Sequence, residues 1–117
     1  MRQASEIKGY HAHIYTPDPA SREVAARLRE ALPGVATVQL GRWHDGPIGP
    51  HPISMYQVAF EPSELAKIVP WLMLNRGGLS ILVHPETGND VEDHETNPLW
   101  LGTPVTLDIE FLRRLPR

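Results

Sequence analysis

Two histidines stand two residues apart in GYHAHIY at positions 9–15, and four more follow at His44, His51, His84 and His94. In an extended segment residues i and i+2 share a face, so His11 and His13 point the same way. Neutral imidazole is a common ligand for borderline divalent metals, and near neutral pH it also moves protons. His51 in GPHP and His84 in VHP each precede a proline, which biases their backbone toward an extended conformation. A ring held in one orientation loses less side-chain entropy when it ligates. His84 stands second in the stretch VHPETGNDVEDHE at 83–95, which offers Glu86, Asp90, Glu92, Asp93 and Glu95 beside His94. The bland alternative for this stretch is a solvated acidic loop, and for HAH a hydrogen-bonded or solvated pair. The chain contains no cysteine, which excludes disulfides, thiolate zinc sites, iron–sulfur clusters and cysteine nucleophiles. Any metal here must be held by nitrogen and oxygen.

These side chains need a scaffold, and the hydrophobic pattern supplies one. Residues 9–15 alternate, with His11, His13 and Tyr15 opposite Ala12 and Ile14, and read as a first strand. Asp18 followed by Pro19 reads as an N-cap with proline at the first helical position, opening a helix whose apolar spacing through Leu32 stops at Pro33-Gly34. Residues 35–41 and 54–60 alternate as second and third strands. Pro62 opens a second helix that Pro70 should kink or split. Residues 79–84 form a fourth strand, and 103–112 read as a further strand along an edge.

The order strand, helix, strand, strand, helix, strand is that of a ferredoxin-like α+β sandwich, βαββαβ with an extra C-terminal strand. Both helices should cover one sheet face, with Ala12, Ile14, Val58, Phe60, Ile81 and Val83 as core. The other face would then be polar, carrying His11, His13, Gln39, Gln57 and His84. If the first strand lies between the third and fourth, His84 comes toward His11 and His51 toward His13, so that four imidazoles converge.

Composition bounds the rest. With 117 residues, 41% of them hydrophobic, one domain over 1–117 is expected. A net charge of -3 without basic clusters argues against nucleic acid as a partner. The start lacks an apolar signal region and no run of about 18 apolar residues occurs, so no membrane partner and a cytoplasmic location are expected. The twelve prolines mostly punctuate element boundaries, but GRWHDGPIGPHP at 41–52 should be a rigid, shaped loop. Trp43, Trp71 and Trp100 read as core or interface anchors, and Arg42 and Arg76 as surface cations with an outside role in pairing a carboxylate.

The ordered set YHAHIY, GPIGPHP, NRGGLSILVHPETGND, DH at 93–94 and WLG at 100–102 resembles the DOPA 4,5-dioxygenase family over about 9–112. That resemblance implies a dimeric ferredoxin-like protein that opens a catechol ring with O2 in the extradiol manner, and its histidine motifs fall on His11, His13, His51, His84 and His94. Extradiol chemistry asks for Fe(II) with about three protein ligands and open positions for catecholate and O2. Within that reading His13, His51 and His84 are assigned to the metal and His11 and His94 to proton transfer, with His11 and His13 interchangeable and Glu86, Asp90 or Asp93 as possible oxygen ligands. Zinc would displace iron in purified samples by the usual affinity order. Two rivals stand beside this: a non-catalytic histidine-rich metal- or ligand-binding module, and a cofactor-free dimeric α+β barrel monooxygenase or isomerase.

Overall fold

The computed structural model of the chain describes residues 1–116. Strand β1 (Gly9–Tyr15) sits at the centre of a five-stranded antiparallel sheet of order β2-β3-β1-β4-β5, flanked by β3 (Met55–Phe60) and β4 (Ile81–Glu86). The outer strands are β2 (Gln39–Leu40) and β5 (Leu99–Leu101). The ferredoxin-like arrangement expected from the element order is therefore present. Helices α1 (Pro19–Val35) and α2 (Leu65–Asn75) supply the layer whose buried residues, Ala25, Leu28, Leu32, Ile68 and Leu72, pack with Ala12, Ile14, Val58, Phe60, Ile81 and Val83 of the sheet. Burying each of the leucine, isoleucine, valine and phenylalanine side chains contributes roughly 1.5–3 kcal/mol.

Helix α1 begins as its sequence signals, with the Asp18 carboxylate accepting from Ser21 N at 2.8 Å. It does not stop at Pro33. The helix runs on to Val35, because proline close to a C-terminus removes only one backbone donor and Ala36 N still reaches Leu32 O. The second strand shrinks accordingly from 35–41 to two residues. Pro70 likewise lies inside a single unbroken α2. Pro85 is accommodated in β4 because β5 pairs only as far as Val83, leaving no neighbour on that side.

The largest departures lie after β4. The expected strand at 103–112 is not formed. The fifth strand is Leu99–Leu101 instead, ended by Gly102 at φ 77, where an added Cβ would meet Leu79 O at 2.8 Å. Residues 103–108 are irregular, and Asp108 then caps helix α4 (Ile109–Arg113) by accepting from Phe111 N. The acidic segment is also not a loop. It is helix α3 (Asp90–Glu95), capped by Asn89 and carrying Asp90, Glu92 and Asp93 in its first turn, where carboxylates suit the helix dipole.

The sheet face opposite α1 and α2 is not uniformly polar. Tyr15, Met55 and Leu82 are buried there against Ile53, Trp100, Val105 and Leu107, so the C-terminal segment covers half of that face. The histidines occupy the other half. All three tryptophans serve as packing anchors, Trp43 and Trp71 against the main core and Trp100 against the smaller cluster. Arg76 is committed to the backbone, donating to Gly77 O and Leu79 O.

Candidate metal centre

Strand alternation and register build the centre. On β1 the row His11, His13, Tyr15 faces away from α1 and α2, and His84 on β4 is paired directly with His11. Leu82 pairs with His13, so His84 reaches His13 on the diagonal, with the two Nε2 atoms 3.0 Å apart. His51 arrives from the proline-rich loop, at the close of a tight turn in which His51 and Ile48 exchange both backbone hydrogen bonds and Gly49 takes φ 55. Its ring centroid lies 4.1 Å from that of His13. His94 arrives from α3, its centroid 3.9 Å from that of His84. Five of the six histidines are thus in one cluster, and His44, bridged to Met55 through its backbone, stays outside it.

Two compact donor groupings result, His11–His13–His84 and His13–His51–His94, each with one ligand atom per ring and all atoms within 4.8 Å of one another. His13 belongs to both. The set read from the sequence, His13, His51 and His84, takes one partner of His13 from each. Those three are the buried ones, at 3%, 5% and 1% exposure. His11 and His94 are half-buried.

The other ring nitrogens are tethered. A carbonyl can only accept, so His84 Nδ1 donates to Pro85 O at 3.0 Å and His94 Nδ1 donates to Asp90 O at 2.7 Å. His84, held neutral by its burial, therefore presents an unprotonated Nε2. His51 Nδ1 is 2.7 Å from Tyr15 Oη, and Glu86 Oε1 lies 3.2 Å from His11 Nδ1 and 3.5 Å from His84 Nδ1. Such partners fix tautomer and ring orientation in metal sites. His13 Nδ1 is buried with no hydrogen-bond partner in the described structure.

Burial and mutual proximity push His11, His13, His51 and His84 toward the neutral form, and for each of these four desolvation is the largest cause. It pushes His84 down to about 3, helped by His94, and His51 down to about 4, helped by His94 and His44. His13 falls well below its ordinary value through desolvation and the His51 and His84 rings, and His11 falls through desolvation and His94. Glu86 moves the opposite way, raised by desolvation and by Asp93 and Asp90. A crowd of neutral nitrogen donors, three of them buried and one with an orphaned atom, fits a borderline divalent cation.

α3 is fastened by Asp93, fully buried, whose carboxylate accepts from Thr87 N at 2.8 Å and Thr87 Oγ1 at 2.6 Å. Asp93 is therefore an internal tether and not a surface charge. The sequence reading also passed over Tyr15 as a partner of His51, although HAHIY places it third on the histidine face. A separate cavity of about 420 Å³ lies on the far side of β4, lined by Ile7, Tyr10, Leu65, Val83 and Leu99, and holds no histidine. Donor geometry, not cavity size, locates the centre.

The profile of the Dopa 4,5-dioxygenase family matches residues 10–111. An uncharacterized 21.2 kDa protein of Botryotinia fuckeliana is 36% identical over 124 residues, covering 98% of this chain and 66% of that protein. A DOPA 4,5-dioxygenase of Amanita muscaria is 36% identical over 116 residues, covering 92% of this chain and 51% of that one. The chain thus spans between half and two thirds of these relatives. A crystal structure of a candidate dioxygenase from Nostoc punctiforme superimposes with a TM-score of 0.96 at 61% identity, covering 99% of this chain and all of the other.

Proposed function

The chain belongs to the Dopa 4,5-dioxygenase family, and on that premise we propose that it opens a catechol ring in the extradiol manner with O2, using Fe(II) held by the histidine cluster. The observation that carries this reading is the convergence of neutral imidazoles on His13, whose buried Nδ1 has no protein partner.

We assign His13, His51 and His84 as ligands because they are the buried three, and His11 and His94 as proton-transfer groups because they keep contact with solvent. Bound Fe(II) would supply a Lewis-acidic centre for a chelating catecholate and for O2. Three neutral ligands leave its charge undiminished, which favours an anionic substrate. The tethers at Pro85 O and Tyr15 Oη keep the donor atoms of His84 and His51 turned inward. His11 accepts the proton of the second catechol hydroxyl, and the Glu86 carboxylate at 3.2 Å stabilises the imidazolium that forms. Leu82, Tyr15 and Trp100 close the far side of the centre against water. Both oxygen atoms enter the product and one ring carbon–carbon bond breaks, so no external reductant is required.

The test is anaerobic loading with Fe(II), addition of a catechol, then admission of O2. A yellow semialdehyde is expected. A colourless solution that keeps its iron would leave a metal-binding module without this reaction.

A further inference from the structure

The row of side chains that β1 presents to the metal centre begins with a gap. Alternation puts Gly9 on the same face as His11, His13 and Tyr15, and Gly9 has no side chain to fill its position. The neighbour of His11 across the β1–β3 ladder is Ala59, also small. Together these two residues leave a cavity of about 240 Å³ on the histidine face, and His11 forms one wall. The cavity runs away from His51 and His94 toward the end of the sheet, where Gln39 borders it. It has room for the substituent of a ring lying over His11.

Its charge is one-sided. Glu86 pairs directly with Gly9 from β4, and Glu61 follows Phe60 at the end of β3, so two carboxylates flank Gly9 across the sheet. No lysine or arginine lines the cavity. The Glu61 side chain is exposed and makes no hydrogen bond or ion pair with another described residue. The Glu86 carboxylate lies against the imidazoles of His11 and His84, and the charges that act on it, Asp93 and Asp90, are also negative. A carboxylate on an incoming substituent would meet two like charges and no counter-charge, whereas an ammonium would meet two opposite ones.

We propose that this cavity is the subsite for the ring substituent, and that it selects catechols bearing an ammonium group over those bearing a carboxylate at the same distance from the ring. This rests on the ring-opening function proposed above.

Dopamine and dihydrocaffeate share the ring and a two-carbon tether and differ in the sign of the terminal charge, so they make the test. Their dissociation constants are measured without O2 on the metal-loaded protein, and their kcat/KM values with O2 on the iron-loaded protein, beside plain catechol. Dopamine should be preferred by about tenfold, and Glu61→Lys should reduce that preference by about tenfold. Ala59→Leu, which fills the floor, should lower kcat/KM for dopamine relative to plain catechol. Equal affinities for the two congeners, or a preference unmoved by Glu61→Lys, would overturn the subsite even if catechol is opened. Charge-dependent binding without turnover of any catechol would overturn the proposed reaction and leave the subsite standing.

Discussion

His13 Nε2 and His84 Nε2 face each other at 3.0 Å, and His84 Nδ1 is already spent as a donor to Pro85 O. His84 Nε2 is therefore a lone pair directed at a neighbouring imidazole. Such a pair is at rest when a proton or a cation lies between the two nitrogens, and a divalent metal places its charge where both lone pairs converge. Metal loading should thus raise stability by binding the folded state alone. A rise in Tm with added Zn(II) or anaerobic Fe(II), reversed by a chelator, is expected, and an unchanged Tm would contradict a preformed site.

Acid should weaken the metal-free protein in a defined direction. In the unfolded chain these histidines take up protons near 6.5, whereas in the fold His51 does so only at about 4 and His84 only at about 3. Below pH 6.5 the unfolded state binds more protons, so stability falls as pH drops and levels off only below the folded values. His51 alone accounts for about 3 kcal/mol between those limits, at about 1.4 kcal/mol per unit. Urea midpoints should decline steadily from pH 7 to pH 4.5, and a flat profile would mean that the cluster is not neutral and buried.

Tyr15→Phe removes one oxygen and keeps the ring that stacks on Trp100 at 6.1 Å. His51 Nδ1 then loses its partner at 2.7 Å. Metal affinity should fall by about 10- to 100-fold with the fold intact. Titration with Co(II), followed by its absorbance, checks this. Unchanged affinity would show that Tyr15 does not orient a ligand.

The assigned roles separate by metal content. His51→Ala and His84→Ala should lose the metal, whereas His11→Ala and His94→Ala should keep it and lose turnover by about 10²- to 10⁴-fold. Elemental analysis of the four variants decides. Loss in His11→Ala with retention in His51→Ala would move the ion to the His11–His13–His84 grouping, and loss in His94→Ala with retention in His84→Ala to the other.

Asp93→Ala should cut α3 loose from β4. Thr87 N is left without its acceptor, at a cost of about 1–3 kcal/mol. Since α3 carries His94, turnover should fall together with Tm, and full activity in a destabilised variant would show that His94 needs no such anchorage.

The parts of this structure that were legible from the sequence are those set by period and caps. The alternation of residues 9–15 put His11 and His13 on one face, and Asp18-Pro19 marked the start of α1. The βαββαβ order then brought His84 and His51 to β1. The parts that were not legible depend on context. The carboxylates of 90–95 look like a solvated loop by composition, yet in the first turn of a helix capped by Asn89 they favour its dipole, and one of them turns inward to Thr87. Three residues of β5 are too few to show a period. Pro33 and Pro70 read as breaks, but packing of Leu32, Ile68 and Leu72 against the sheet outweighs a lost backbone donor. Alternation marks Tyr15 only as a face residue, because its role depends on where the loop delivers His51.

His13 is common to both donor groupings, so the most direct measurement is iron content and O2 consumption, side by side, in the wild-type protein and in His13→Ala and His13→Gln after anaerobic loading with Fe(II). The wild type should hold iron and consume one O2 per catechol opened, and both variants should lose iron and O2 consumption together while keeping the wild-type circular dichroism spectrum. Ring opening that persists in folded variants without His13 would contradict the account at its centre.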